Sequence, residues 1–258
     1  MSAPVEFSCA EKIVKLTLSR PNHGNTIDPA MALALLQAAE RCDDDADIRC
    51  VILTGRGKLF CGGGDVGAFA AAGADAPAFL RDLAGTLHAA IVRLMRMRKP
   101  LITLVNGPAA GAGMSLAMIG DFALAARSAH FSAAYTALGL SPDGGMSWLL
   151  PRVVGLRRAQ EIILSNRRVS SDEAERIGLV TRTVEDEKLA ATGAEIAAKL
   201  VAEPIAALGA ARGLLLESYN STLEAHLDRE MRSIAELGGS DESRRRVAAF
   251  AARRNSNG

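Results

Sequence analysis

Between Lys99-Pro100 and Asp121 the chain runs for 20 residues, Leu101–Gly120, without one charged side chain. That is long enough to cross a bilayer, and the cluster Arg96, Arg98 and Lys99 ahead of it resembles the basic flank of a membrane anchor. Gly107 and Gly111 even stand at the small-xxx-small spacing of packed membrane helices. The interior of the run argues otherwise. Asn106-Gly107-Pro108 divides it into a β-prone half, Leu101–Val105 (LITLV), and a helix-prone half, Gly111–Met118 (GAGMSLAM). The segment is therefore expected to be strand, tight turn and helix inside a protein core, which is the building unit of an α/β fold.

The same order recurs along the chain. Val5–Cys9 and Ile13–Leu18 read as strands joined by the polar turn Ala10-Glu11-Lys12. Asp28 before Pro29 is a helix cap followed by a first-turn proline, and the helix is predicted to run to about Arg41. Arg49–Thr54 (RCVILT) reads as a buried strand, followed by a loop over Gly55–Asp65 and a long helix over about Ala76–Met97. Asp121–Ala126 and Val180–Val184 read as further strands. The alternation predicts an α/β core built by repeated crossovers. Beyond Val184 the chain is mostly Ala, Leu, Arg and Glu, broken near Pro204, Tyr219-Asn220 and Gly238-Gly239-Ser240, which predicts four consecutive helices. The expected division is a core over 1–195 and a C-terminal helical region over 196–258.

Charge and composition exclude several functions. The net charge is +1, too small to draw in a polyanion, and aromatics make up 4%, leaving few platforms for stacked bases. Neither nucleic acid nor a membrane is an expected partner. Cys9, Cys42, Cys50 and Cys61 form no CxxC pair and have no histidine at metal-ligand spacing, so no metal site is expected. The first residues lack a basic segment followed by an apolar block. A reducing, cytoplasmic setting is the expectation.

Glycine is concentrated: the stretches 55–64, 107–113 and 139–145 hold 11 of the 24. Gly55-Arg-Gly-Lys58 lacks the spacing of a phosphate-cradling loop and is followed by Leu59 where a Ser or Thr is required. Gly107 to Gly113 has the spacing Gly-x-x-x-Gly-x-Gly, not that of a dinucleotide turn. Another chemistry suits them. Leu59-Phe-Cys-Gly-Gly-Gly-Asp65 and Asn106-Gly-Pro-Ala-Ala-Gly-Ala-Gly-Met-Ser115 each follow a strand and precede a helix, so each presents free backbone N–H groups. Two such donors converging on one carbonyl oxygen make an oxyanion hole. Taken singly, any of these stretches reads better as an ordinary turn or cap.

Leu18-Ser-Arg-Pro-Asn-His-Gly-Asn25, Phe60-Cys-Gly-Gly-Gly-Asp65, Val105-Asn-Gly-Pro-Ala-Ala-Gly-Ala-Gly113 and Ala249-Phe-Ala-Ala-Arg253 occur in this order. With them the chain resembles the enoyl-CoA hydratase/isomerase (crotonase) superfamily along nearly its whole length. The resemblance implies an α/β spiral of ββα units with a C-terminal helical trimerisation region, assembled as a homo-trimer or a hexamer of two trimers. It implies an acyl-CoA thioester substrate, with coenzyme A part of that substrate and no permanently bound cofactor. Position by position, the oxyanion donors would be the backbone N–H groups of Gly64 and Ala112, the latter where a glycine is common. Asn22, His23 and Gly24, and Gly62, Gly63, Asp65 and Val66, correspond to CoA-contacting stretches. Phe250 and Arg253 match positions that reach toward the adenine end, although Arg253 equally reads as a solvated charge beside Arg254.

The departures bear on the reaction. Hydratases of the family hold one water between two glutamates, and this chain has Ser115 and Tyr135 at those positions. Neither side chain is a general base near neutral pH. One carboxylate remains in the right stretch, Asp143 in Ser141-Pro-Asp-Gly-Gly145, which is also a strong turn signal. Isomerase members of the family use an Asp in such a loop as their single acid/base. An enoyl-CoA isomerase is therefore expected, with a hydratase or a non-catalytic acyl-CoA-binding homologue as alternatives. Tyr135 is a candidate for lining the acyl pocket or donating a hydrogen bond, and it reads equally well as plain packing. Ser115 as a hydrolytic nucleophile lacks a patterned histidine base. His88, His130 and His226 are expected to be structural.

Overall fold

A computed structural model describes residues 3–255. It opens with β1 (Val5–Ala10) and β2 (Ile13–Leu18), an antiparallel hairpin whose two turn residues, Glu11 and Lys12, both take positive φ. That is the twist a two-residue hairpin needs, here met without glycine. In β2, Val14, Leu16 and Leu18 point inward and Lys15 outward, the alternation of a strand with one buried face. The helix α1 (Pro29–Asp44) starts as predicted: the Asp28 carboxylate accepts the Met31 N–H at 2.8 Å. It returns the chain to β3 (Cys50–Gly55), parallel to β2 with Ile13 opposite Cys50.

The chain continues through α2 (Val66–Ala71) and α3 (Ala76–Arg96) to β4 (Leu101–Val105), whose five residues are all buried. Next come the short β5 (Ala109–Ala110) and α4 (Ala112–Met118), then β6 (Phe122–Ala126). The charge-free run is thus strand, turn and helix, and among the described residues no helix is long and apolar enough to cross a membrane. β7 (His130–Ser132), α5 (Met146–Val154), α6 (Leu156–Ser165), β8 (Val169–Ser170) and α7 (Ser171–Ile177) lead to β9 (Arg182–Val184). One sheet has the order β1-β2-β3-β4-β6-β9, parallel beyond the hairpin, and a smaller sheet has the order β5-β7-β8. Central parallel strands covered on both faces explain the continuous apolar runs of β3 and β4.

Four helices close the chain, with breaks where the sequence puts them: α8 (Leu189–Ala202), α9 (Ile205–Glu217), α10 (Leu223–Gly238) and α11 (Asp241–Asn255). α8 packs across β3, β4 and β6, so the 195/196 boundary falls within a helix that lies on the sheet. α9 is fastened by Arg212, which donates to Asp121 Oδ2 at 2.6 Å and to the carbonyls of Leu94 and Met97. Lys99, buried just before β4, donates to the carbonyls of Cys42, Asp43 and Asp45 and so ties the end of α1 to the sheet.

Candidate active site

The two glycine loops lie against each other. The N–H of Phe60 donates to Pro108 O at 3.1 Å and that of Ala110 to Cys61 O at 3.0 Å. A Cβ on Gly113 would stand 2.1 Å from the Cys61 carbonyl oxygen, and one on Gly63, whose φ is +96°, 2.8 Å from Ala110 O. Bare backbone is what lets the loops approach this closely. The contact brings Gly63 beside the start of α4, where the Ala112 N–H belongs to the first turn and has no acceptor within its helix. Gly64 sits in an isolated parallel bridge to Ile27, in which Ile27 N–H donates to Gly63 O and Asp65 N–H to Ile27 O. Those bonds leave the Gly64 N–H outside the bridge.

Asn25, fully buried at positive φ, stitches the neighbouring loop in place by donating to the carbonyls of Arg56, Leu59 and Phe60. Asp65 caps α2, accepting Ala68 N–H at 3.1 Å, while its other oxygen lies 3.2 Å from the Arg20 guanidinium. The Ala68 N–H and then the guanidinium hold this carboxyl below the ordinary carboxylate value against its partial burial.

A cleft of about 270 Å³ opens in front of these loops. Gly62, Gly63, Gly64, Asp65, Val66, Gly111 and Ala112 form one wall, Leu80, Leu83, Ala84 and Leu87 of α3 form another, and Tyr135 and Asp143 face them. The sequence-predicted oxyanion, glycine-loop and acid/base residues thus share one cavity. Asn22, His23 and Gly24 lie outside its lining, on a short helical turn whose Gly24 carbonyl accepts the Gly62 N–H at 2.9 Å. Phe250 and Arg253 sit on α11, likewise outside the lining.

The side chains at the two glutamate positions are both engaged with Asp143. Tyr135 Oη donates to Asp143 Oδ1 at 2.5 Å, and Ser115 Oγ, completely buried in α4, donates to the Asp143 carbonyl at 3.0 Å. Burial, and then the Asp143 carboxylate, push the Tyr135 phenol well above its ordinary value of 10, so the phenol stays a donor. Gly144 and Gly145, both at positive φ, turn the chain from Asp143 into α5. A Cβ on Gly144 would lie 3.0 Å from Ser115 Cβ.

His88, expected to be structural, reaches the Asp143 loop. It lies on α3 between Leu87 and Ile91, its Nε2 accepts the Gly144 N–H at 3.0 Å, and the same nitrogen is 3.5 Å from Asp143 Oδ2. It flanks the buried stripe of the helix, and nothing in the local sequence pointed to a partner 55 residues onward. His130 lies on β7, and His226 pairs with Glu230 on α10. Among the described residues no cluster of His, Cys, Asp or Glu could hold a metal ion. Burial pushes the thiols of Cys42, Cys50 and Cys61 up to about 12.

Chemically, the cleft sets the backbone of the two glycine loops opposite the Asp143 carboxylate. The family model described as "Enoyl-CoA hydratase/isomerase" matches residues 8–257. The chain is similar to a 1,2-epoxyphenylacetyl-CoA isomerase of Escherichia coli, 37% identical over 243 residues, covering 94% of this chain and 93% of that protein. It is similar to a probable enoyl-CoA hydratase of Rhodobacter capsulatus, 36% identical over 250 residues, covering 97% and 95%. Among solved structures, an enoyl-CoA hydratase from Polaromonas sp. JS666 superposes with a TM-score of 0.92 at 31% identity, covering 96% of this chain and 97% of that one.

Proposed function

Since the chain belongs to the enoyl-CoA hydratase/isomerase family and is an enzyme of that type, we propose that it is an enoyl-CoA isomerase whose single acid/base is Asp143. The observation that carries this reading is the Tyr135–Asp143 hydrogen bond. It turns a position where a hydratase would need a glutamate into a support for another carboxylate. Asp65, the other carboxylate of the cleft, is occupied by Arg20 and the start of α2 and makes a poor base.

In the proposed reaction the thioester carbonyl accepts the N–H groups of Gly64 and Ala112. Asp143 Oδ2 takes the proton from the α carbon, and the resulting enolate is held by the same two donors. The proton then returns to the γ carbon, moving the double bond into conjugation. Oδ1 stays on the Tyr135 hydroxyl throughout. Coenzyme A is the handle of the substrate, with Asn22, His23, Gly24, Gly62, Gly63, Asp65 and Val66 on its near side. Phe250 and Arg253 are assigned to its far end.

Incubation with a 3-enoyl-CoA is expected to yield the conjugated 2-enoyl thioester, read by ultraviolet absorbance, and Asp143→Asn is expected to abolish that change. Addition of water to a 2-enoyl-CoA in place of double-bond migration would return the hydratase reading; CoA binding with neither reaction would leave a binding protein.

The proposal extends to assembly as a homo-trimer or hexamer. Leu223, Leu227, Met231 and Ile234 form an apolar stripe on α10, each more than half exposed in the single chain. Light scattering is expected to give a trimer or hexamer, and Leu227→Glu with Met231→Glu to shift it toward monomer.

A further inference from the structure

The cleft ends where α3 meets the Asp143 loop. Leu80, Leu83, Ala84 and Leu87 follow one another along its apolar wall on α3. An acyl group lying on that wall with its α carbon at Asp143 therefore heads toward the next residue of the helix, His88. There the gap is bridged, because His88 Nε2 accepts the Gly144 N–H at 3.0 Å and joins helix to loop. Leu87 and Asp143 line the cleft. His88 and Gly144, the residues directly after them, line a second cavity of about 360 Å³, and no residue lines both. Much of the second cavity is apolar, walled by Ile91, Met95, Trp148 and Leu149. The loop side of the bridge is pinned: Tyr135 holds the Asp143 carboxylate, while the Ser115 hydroxyl and the Met146 N–H donate to the Asp143 carbonyl. The imidazole is the half that a substitution can remove without touching that loop.

We propose that His88 is a specificity-determining residue, a stop that confines the acyl group to the cleft and keeps it out of the second cavity. The protein accordingly selects short acyl groups, which end soon after the γ carbon, and rejects long ones, whose tails find the imidazole across their path. With the imidazole gone, the cleft of about 270 Å³ and the cavity of about 360 Å³ become one channel. Each further methylene that enters it then leaves water for apolar surroundings, which favours binding. The inference rests on the proposed seating of the thioester, carbonyl on Gly64 and Ala112 and α carbon facing Asp143, and on no step of the reaction.

Saturated thioesters, which have no double bond to move, test this: butyryl-, hexanoyl-, octanoyl- and decanoyl-CoA, titrated calorimetrically into the full-length protein. The unsubstituted protein is expected to bind decanoyl-CoA about tenfold more weakly than hexanoyl-CoA. His88→Ala is expected to reverse that order, with affinity rising about fourfold for each methylene added beyond hexanoyl. His88→Gln keeps bulk and an amide oxygen to accept the Gly144 N–H, and is expected to keep the order of the unsubstituted protein. Val92→Trp, at an exposed position lining the second cavity, is expected to change nothing alone and to cancel the gain when combined with His88→Ala. Decanoyl-CoA bound as tightly as hexanoyl-CoA by the unsubstituted protein, or an order unchanged in His88→Ala, would overturn the stop. A gain that survives Val92→Trp would overturn it too, since the tail would then lie outside the second cavity. Each of these failures leaves the isomerase reading to its own assay with a 3-enoyl-CoA. A length profile that shifts as expected, in a protein that isomerises nothing, would uphold the stop and remove the isomerase reading instead.

Discussion

Two of the walls of the cleft are built on different principles. The wall made by Gly62–Gly64 and Gly111–Ala112 presents main-chain N–H groups, fixed by two loops that interlock through bare backbone. The facing wall presents side chains, Tyr135 and Asp143, with His88 and Ser115 behind them, drawn from four parts of the chain. A backbone wall is sensitive to bulk and indifferent to which small side chain accompanies each donor. A side-chain wall is sensitive to chemistry. In the proposed reaction the difference separates the jobs, charge stabilisation on one side and proton movement on the other.

Asp143→Asn strikes the side-chain wall at its centre and carries the largest expected effect, a fall in kcat of ~10²–10⁴ with an unchanged circular dichroism spectrum. Gly63→Val attacks the backbone wall: its Cβ would press on the Ala110 carbonyl at positive φ. It is expected to cost ~10²–10³ in rate and, unlike the Asp143 variant, to lower Tm. Gly64→Ala is the control for folding, since a Cβ there meets nothing within 4 Å and Tm is expected to hold. A Gly63→Val protein with normal Tm and turnover would break the comparison.

Tyr135→Phe removes the donor to Asp143 Oδ1 and is expected to lower kcat roughly ten- to hundredfold, with KM little changed, because a hydrogen bond to a charged group is worth about 1.5–3 kcal/mol. The raised pKa of the phenol has a sign that can be checked. The hydroxyl remains protonated above its ordinary value of 10, so ionisation of Tyr135 should produce no fall in rate up to about that pH. Ser115→Ala is the mildest case. It removes one of the donors on the Asp143 carbonyl, which also receives the Met146 N–H at 3.1 Å, and a loss of about fivefold is expected. A Ser115 variant as damaged as Asp143→Asn would mean that the serine does chemistry.

The contrast also explains what could be read from the chain beforehand. The backbone wall was legible, because glycines between a strand and a helix mark places where main chain must come close. β3 and β4 were legible as continuous apolar runs, and the C-terminal helices by their breaks at Pro204 and Gly238-Gly239. The stretch from β7 to α7 was not. β7 and β8 have three and two residues, too few to show a period, and α5 carries Pro151 in its interior. On the side-chain wall, Asp143 stood out because it sat in a recognisable turn. His88 did not, since a histidine on an amphipathic helix looks alike whether it meets solvent or a carboxylate contributed by a loop far along the chain.

The contact of Gly113 with the Cys61 carbonyl also restricts how such a protein can diversify. Any side chain at 113 or 63 collides with main chain, which has no rotamer by which to yield, so variation there is closed. Tyr135, Asp143 and His88 stand under no such restriction, and a lineage can exchange them one at a time while the thioester stays seated. Relatives that share the fold yet are named as isomerase and as hydratase are what a scaffold with one immutable face and one editable face would leave behind.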